Sequence, residues 1–455
     1  MSSPTDLLVG VDAGTTGCKA VVFGPDGAPL AWGRAVTPWR TVTLGDGTTG
    51  QELDADELLT AARTAVARAL DDAPAGRVLG LGVTSMAESG VLLDGHGRPV
   101  APIIAWHDLR DLAELEGLRA DIGAEVFSAR TGLPFRVQWS LTKHRWQVDN
   151  DPAVAGAVRR LSIAEWIVRG LGGEEASDAS LASRTGWLDL AARSWWSDSL
   201  TWSGASADLL PALVTSGTPL GRVSADVGLA RLTGAVLTTA GQDHPAAALG
   251  ADAAGAGDQL DSCGTAEALV RTVPAGFSPR DVARLTRDGI TVGWHVLPDR
   301  WSLLGATQGG LALERLAATL GRAAMPDLES LAAQATRGRV AVHVDESATV
   351  TVSGIRDGVG PGEVWAEALR AITDQIDGVG RVMTDVVGPH KRTVAAGGWS
   401  RSASLMELKR EAFGRVDRAD VDEPGARGAA LLAGVAAGVH PEPGHVFAEH
   451  VAAHP

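Results

Sequence analysis

The chain has 455 residues, a formal net charge of −15 at pH 7, 45% hydrophobic residues and 21% charged residues. This composition is typical of a folded protein with room for two domains, and its acidity argues against a nucleic-acid-binding surface. No apolar run approaches the roughly 20 residues of a membrane span, and the polar start lacks a hydrophobic signal segment, so a cytoplasmic protein is expected. Two cysteines, Cys18 and Cys263, are too few for a disulfide framework and lack zinc-site spacing.

A strand, a turn of small residues and a second strand are predicted over residues 7–23. The first apolar run ends at Asp12, and the turn that follows contains Gly14, Thr15 and Thr16. Glycines let a phosphate approach the backbone, and successive N–H groups form an anion-binding concavity. Asp12 is placed to hold a cation through water. By itself this stretch is explained equally well as an ordinary hairpin with a Gly/Thr turn.

The same pattern returns over residues 259–270, where Asp261 precedes Gly264 and Thr265 between two apolar runs. Two such stretches are much less likely to arise by accident than one. Repetition at this scale predicts two related domains that face each other across a nucleotide cleft.

Between the two hairpins the pattern predicts a third strand at Pro29–Val36, a helix over Gln51–Leu70 and a buried strand at Val78–Thr84. Glu88 follows the last of these, where ligands of open α/β sheets tend to sit. A solvated loop carboxylate is the alternative for Glu88.

Trp106 and Asp108 follow a further predicted strand that ends at Ala105. Aromatic and carboxylate side chains together are suited to a polyhydroxylated ligand. The alternative is a tryptophan that anchors a domain edge beside an Asp108–Arg110 ion pair.

Asp243 lies on a glycine loop between a predicted strand at Ala235–Thr239 and a helix-like run at Ala246–Leu249. A carboxylate on a rigid loop at a cleft edge is suited to act as a general base, although an N-cap aspartate is equally common there. Further on, a glycine-rich loop over 305–310 opens a helix, a helix is predicted over Pro361–Met383, and Gly397–Gly398 is a turn that could receive an adenosine.

Together, in this order, these residues resemble the FGGY carbohydrate kinases of the actin/hexokinase-like superfamily. The resemblance covers nearly the whole chain and rests on the motifs at 12–16, 90–94, 105–110, 131–134 with 142–143, 177–179 with 183–185, 241–243, 264–265, 397–402 and 428–430.

The resemblance implies an α/β fold of two actin-like (ribonuclease H-like) domains with a central cleft. It implies residues 1–235 as the N-terminal sugar-binding domain with the first phosphate hairpin, and residues 236–455 as the C-terminal domain with the second hairpin and the adenosine motif. It implies ATP and Mg²⁺ as cofactors, Asp243 as the catalytic base, and Asp12 with Asp243 at the metal. The implied ATP-binding residues are Gly14, Thr15, Thr16, Lys19, Gly264, Thr265, Gly309, Gly310, Gly397, Gly398 and Arg401. The implied substrate-binding residues are Glu88, Ala87, Trp106, Asp108, Gln138, Asp243 and His244.

Departures from the family pattern concern the substrate. Ala87 stands where glycerol kinases have an arginine, and Gln138 stands where they have a tyrosine. The room left by the arginine favours a substrate longer than glycerol, such as xylulose or a C4–C5 polyol. Residues 337–355 barely match the family, which puts contacts for domain closure or for a homodimer in doubt.

The expected partner is a small sugar or polyol, with neither nucleic acid nor membrane. One alternative is a non-catalytic, actin-like switch protein that binds ATP and sugar, against which the presence of Asp243 and both hairpins counts. Another is a related enzyme that acts on a different substrate, such as an acyl phosphate.

Overall fold

The computed structural model describes residues 5–321, 325–336 and 338–445, and all elements below belong to these ranges. The strands are β1 (Thr5–Ala13), β2 (Gly17–Phe23), β3 (Pro29–Val36), β4 (Arg40–Thr43), β5 (Thr49–Leu53), β6 (Gly76–Ser85), β7 (Gly90–Leu93), β8 (Ile103–Ile104), β9 (Arg159–Ser162), β10 (Ser177–Asp178), β11 (Leu188–Asp189), β12 (Ser194–Trp195), β13 (Leu213–Val214), β14 (Val236–Gln242), β15 (Asp258–Cys263), β16 (Glu267–Pro274), β17 (Thr291–Trp294), β18 (Arg300–Thr307), β19 (Ala341–Val344), β20 (Val350–Ser353), β21 (Arg392–Ala396) and β22 (Val416–Arg418). The helices are α1 (Ala55–Asp72), α2 (Leu112–Asp121), α3 (Ala124–Thr131), α4 (Ser140–Asn150), α5 (Ile163–Gly170), α6 (Ala179–Ala182), α7 (Ser197–Ser203), α8 (Asp243–Gly250), α9 (Pro279–Arg287), α10 (Gly309–Thr319), α11 (Met325–Ala332), α12 (Pro361–Val387), α13 (Ala403–Phe413) and α14 (Pro424–Ala436).

The first sheet has the strand order β14-β6-β1-β2-β3. Strands β1 and β2, and β2 and β3, are antiparallel, whereas β6 is parallel to both β1 and β14. The continuous apolar sequence of β1 fits its central position, because both faces of this strand are covered. Helix α1 lies against β2 and β3, and its N-cap is Asp54, whose side chain accepts hydrogen bonds from two backbone N–H groups.

The second sheet has the order β17-β18-β16-β15-β21-β22 and repeats the first. Strands β15, β16 and β18 form an antiparallel meander like β1 to β3, and β21 and β22 continue it in parallel like β6 and β14. Successive residues of β16 point to opposite faces: Leu269 packs in one core with α12, and Val270 packs in another with Leu260. The predicted α/β fold of two actin-like domains is confirmed.

The last helices of the two halves pack against each other, and α14 crosses to the sheet of the first half. Alanines of α8, which follows the first sheet, pack with Leu260 and Val270 of the second sheet. Helix α14, which follows the second sheet, lies on β1, β6 and β14 of the first. Strand β14 is part of the first sheet, so we place the division between the halves after α8 rather than after residue 235.

Glycines set the distance between α14 and its neighbours. A Cβ at Gly82 would lie 2.1 Å from the carbonyl oxygen of Ala429, and one at Gly428 would lie 1.9 Å from that of Ala246. No larger residue fits at these positions without a shift of backbone.

The structure bears on three further predictions, which concern a helix boundary, the atypical segment and membrane-spanning helices. The helix predicted over Gln51–Leu70 begins at Ala55, because residues 49–53 form β5 and pair with β4 and β8. The atypical segment 337–355 holds the hairpin β19–β20, and Arg337 itself lies outside the described residues. Within the described ranges no helix is both long enough and apolar enough to cross a membrane.

Candidate active site

The first phosphate hairpin is held from outside by three side chains. The Nε1 of Trp39 donates to the carbonyl oxygen of Thr15 at 2.8 Å, and the Nε1 of Trp106 donates to the hydroxyl of Thr15 at 2.9 Å. The hydroxyl of Thr37 donates to the carbonyl oxygen of Gly14, at 2.9 Å. These contacts fix the turn, and Thr16 is exposed at its tip.

The second hairpin rests on the start of α10. The backbone N–H of Leu311 donates to the carbonyl oxygen of Thr265 at 2.7 Å, and the Thr265 hydroxyl donates to Glu314 at 3.3 Å. A Cβ at Gly310 would lie 1.9 Å from the carbonyl oxygen of Gly264. Gly309 and Gly310 are buried and let the helix approach the turn, so they support the phosphate loop from behind.

Between the halves lies a cavity of about 530 Å³ that both hairpins face. It brings together eight of the residues predicted from sequence, namely Asp12, Lys19, Asp243, His244, Gly264, Gly397, Gly398 and Arg401. Gly397 has a φ of 92°, and a Cβ there would lie 2.6 Å from the carbonyl oxygen of Cys263. Glycine at this position therefore allows the adenosine motif to contact the second hairpin.

Two arginines in this cavity, Arg34 and Arg418, were missed by the sequence reasoning. Arg34 lies directly opposite Lys19 in the pairing of β2 with β3, so the two cations are on the same face of the sheet. This pairing of the predicted strand β3 is the signal that could have identified Arg34. Both Lys19 and Arg34 form ion pairs with Glu423, and the Lys19 pair measures 2.8 Å. Arg401 pairs with Asp422 at 2.8 Å.

Asp243 is the first residue of α8, and its Oδ1 accepts hydrogen bonds from the backbone N–H and the Nδ1 of His244, at 2.8 and 2.9 Å. Burial opposes ionisation of this carboxyl, but the adjacent His244 outweighs burial and lowers the pKa of Asp243 below its usual range. Asp243 is therefore a carboxylate at neutral pH.

Asp12 stands at the end of β1, and its Oδ1 is buried without a hydrogen-bond partner among the described residues. Burial, reinforced by the negative charge of Asp243, raises the pKa of Asp12 to about 7. Two neighbouring carboxylates with one unsatisfied oxygen fit a divalent cation, which would favour the charged form of both. The residues are thus suited to Mg²⁺.

Glu88 forms the centre of a second polar cluster on the first half. Its Oε1 accepts from Nε and Nη2 of Arg184, at 2.9 and 2.6 Å, and from Nε2 of Gln138 at 3.0 Å. Glu88 is 5% exposed. The alternative of a solvated loop carboxylate is therefore excluded, and the predicted pair of Glu88 and Gln138 is brought together. Arg184 influences the pKa values of Asp243 and His244, which places this cluster beside the general-base candidate.

Three predicted substrate residues have other surroundings. The carboxylate of Asp108 is fully buried and accepts from the backbone N–H of Gln51 and from Arg110, so the ion-pair alternative describes it and substrate contact does not. Ala87 is 1% exposed and packs in the core of the first half, away from the cleft. Trp106 contacts Thr15 of the first hairpin.

A buried ion-pair cluster underlies the second hairpin. Lys409 of α13 contacts the carboxylates of Asp261 and Glu267, which flank the turn, and the three side chains are at most 3% exposed. Sequence reasoning missed Lys409, because it lies 148 residues from Asp261 and is part of no glycine-rich motif.

Comparisons with known proteins agree with this arrangement. Residues 7–250 match the model of the N-terminal domain of the FGGY family of carbohydrate kinases. A glycerol kinase from Aromatoleum aromaticum is 30% identical over 462 residues, covering 95% of this chain and 90% of that one. The crystal structure of a xylulose kinase from Rhodospirillum rubrum has a TM-score of 0.85 and 26% identity, covering 97% of this chain and 92% of that one. A Plasmodium falciparum glycerol kinase with ADP has the same fold, with a TM-score of 0.86 and 16% identity over 98% of this chain and 92% of that one. The chain therefore belongs to the FGGY family of carbohydrate kinases, ATP-dependent phosphotransferases with an alcohol group as acceptor.

Proposed function

We propose that this kinase transfers the γ-phosphoryl group of ATP to a hydroxyl of a small sugar or polyol, with Asp243 as the general base. The observation that carries the proposal is the position of Asp243. It lines the cavity that contains both glycine motifs, and it is close enough to Arg184 of the Glu88 cluster for that charge to lower its pKa.

In this mechanism the ionised Asp243 accepts the proton of the attacking hydroxyl as the oxygen approaches the γ-phosphorus. Asp12 and Asp243 would hold Mg²⁺, which would neutralise phosphate charge. Gly264, Lys19 and Arg34 line the same cavity, and the two cations provide positive charge there. The backbone N–H groups of both turns would donate to the phosphates. Catalysis then consists mainly of positioning and charge neutralisation, while the cleft excludes competing water.

At the acceptor end, Oε1 of Glu88 is engaged by Arg184 and Gln138. Its other oxygen has no hydrogen-bond partner among the described residues and is left for a substrate hydroxyl. The relatives named above are glycerol and xylulose kinases, and on this chain an acceptor of four or five carbons is proposed because Gln138 stands where glycerol kinases have a bulkier tyrosine.

The test is coupled ADP release with Mg²⁺-ATP over ketopentoses, tetritols, pentitols, pentonates and glycerol. One strong responder among the four- and five-carbon compounds supports the proposal. Nucleotide binding without stimulated turnover by any compound would favour the alternative, an ATP- and sugar-binding switch protein.

A further inference from the structure

The Glu88 cluster contains more positive than negative charge. Glu88 is the single carboxylate at its centre, and the guanidinium of Arg184 already pairs with it through two hydrogen bonds to one oxygen. One ion pair therefore neutralises Glu88 without any further cation.

A second guanidinium, that of Arg136, joins the same cluster. Its Nε donates to Oε1 of Gln138 at 3.0 Å, and Nε2 of that amide donates to Glu88. The guanidinium carbons of Arg136 and Arg184 lie 5.5 and 5.1 Å from the ring centre of Trp139. Arg136 is thus placed by contacts with residues of the acceptor site, although its side chain remains accessible.

Hydrogen-bond donors in this cluster outnumber the acceptors that the chain supplies. Among the described residues, neither Nη atom of Arg136 has a hydrogen-bond or ion-pair partner. Nη1 of Arg184 is buried and also has none.

We propose that the acceptor carries a carboxylate, and that Arg136 binds this group through its free Nη atoms while Glu88 and Asp243 engage the hydroxyls. The acceptor class is then an aldonate or a related sugar acid. The inference rests on the proposed kinase function and narrows its substrate.

Charge and geometry both favour a carboxylate at this point. A guanidinium offers two parallel N–H donors that match the two oxygens of a carboxylate. Arg136 has no carboxylate partner among the described residues, so the carboxylate of a substrate would be its direct counter-charge, whereas a neutral polyol offers none. A phosphate ester with about −2 charge would exceed the single charge of this guanidinium.

The test compares matched five-carbon acceptors: arabinonate, ribonate and xylonate, the corresponding pentitols, and a pentitol monophosphate. Wild-type kcat/KM is expected to be highest for one of the pentonates. Arg136→Gln should lower kcat/KM for that pentonate by roughly 10- to 100-fold, since a hydrogen bond to a charged group is lost, and should leave the value for the pentitol nearly unchanged. Arg136→Lys should restore part of the loss.

Arg119→Gln is the matched control. The guanidinium carbon of Arg119 lies 4.5 Å from the ring centre of the neighbouring Phe135, and among the described residues Arg119 has no hydrogen bond or ion pair with the Glu88 cluster. A pentitol or the monophosphate as the preferred acceptor would overturn the inference, as would an equal effect of Arg136→Gln on acid and neutral acceptors. Both outcomes leave the kinase proposal standing.

Calorimetry in the presence of Mg²⁺-ADP further separates the carboxylate inference from the proposed kinase function. Pentonate binding that depends on Arg136, without phosphoryl transfer, would uphold the inference and defeat the proposed function; no binding of any acceptor would defeat both.

Discussion

The ammonium group of Lys19 lies 2.8 Å from Oε2 of Glu423, so a lysine of the first phosphate hairpin pairs with the residue directly before α14. Glu423 also pairs with Arg34 and is largely buried. This carboxylate therefore occupies two cations of the cavity, and in the proposed function it would compete with the phosphates of ATP for them.

Glu423→Gln should free Lys19 and Arg34 and remove a negative charge from the cavity. We expect the Kd for ATP to fall roughly two- to fivefold, because partly exposed ion pairs of this kind contribute up to about 1 kcal/mol. Titration calorimetry at low and high salt measures this effect, and the gain should shrink at high salt. Weaker ATP binding in the variant would show that Glu423 positions the two cations instead of masking them.

Asp243→Asn should abolish proton acceptance and retain the shape of the site. We expect kcat to fall by roughly 10²–10⁴-fold, the usual contribution of a general base, with ATP still bound. Single-turnover kinetics and nucleotide binding are the measurements. Turnover close to wild type would remove Asp243 from the mechanism.

His244→Gln should shift the pH dependence of kcat. Protonated Asp243 cannot accept the hydroxyl proton, so kcat falls as pH drops through the pKa of this carboxyl, and His244 holds that pKa low. Without the imidazole, burial dominates and the pKa of Asp243 rises, so the acid limb should move to higher pH. Identical acid limbs in variant and wild type, over the pH range where both stay folded, would contradict this account.

Gly82→Ala should destabilise the fold, because its Cβ would lie 2.1 Å from the carbonyl oxygen of Ala429 on α14. We expect a loss of roughly 1–3 kcal/mol or more in the free energy of unfolding, measured by urea denaturation. Gly378→Ala in α12 is the control, since a Cβ there meets nothing within 4 Å, and it should stabilise by roughly 0.5–1 kcal/mol. Equal effects of the two substitutions would mean that α14 can shift away from the sheet.

Lys409→Met should leave the carboxylates of Asp261 and Glu267 buried without their cation. Removing one partner of a buried ion pair costs roughly 3–5 kcal/mol, so urea unfolding should move to clearly lower concentrations. The control is Arg415→Met, which breaks the exposed pair with Asp417 and should change stability little. A small loss for Lys409→Met would indicate that the two carboxylates are protonated in the folded protein.

The local parts of the fold could be predicted from the sequence. Strand β3 has the predicted bounds Pro29–Val36, and both phosphate hairpins lie where glycine and threonine follow apolar runs. These patterns depend on neighbours within a few residues. The strand β5 escaped prediction because its polar sequence is strand-like only through pairing with β4 and β8.

The candidate site could be predicted from the sequence only at residues that belong to a recognisable motif. Asp12, Asp243, Gly264, Gly397 and Gly398 meet in one cavity, whereas the predicted Gly14, Gly309 and Gly310 do not line it. Partners that are distant in sequence could not be assigned: Arg184 contacts Glu88 across 96 residues, and Lys19 contacts Glu423 across 404. Asp108 was predicted to bind the substrate because ligands tend to sit at strand ends. In the structure its carboxylate instead forms an ion pair with Arg110, two residues later.

The position of α14 on the first sheet has a consequence for synthesis of the chain on the ribosome. One face of the sheet formed by β1, β6 and β14 is covered by residues 424–436, which are translated after every strand of both sheets. Until they emerge from the exit tunnel, that face remains without its helix and exposed to chaperones. The first half therefore cannot complete its fold ahead of the second, and both halves reach their native packing together once α14 has been made.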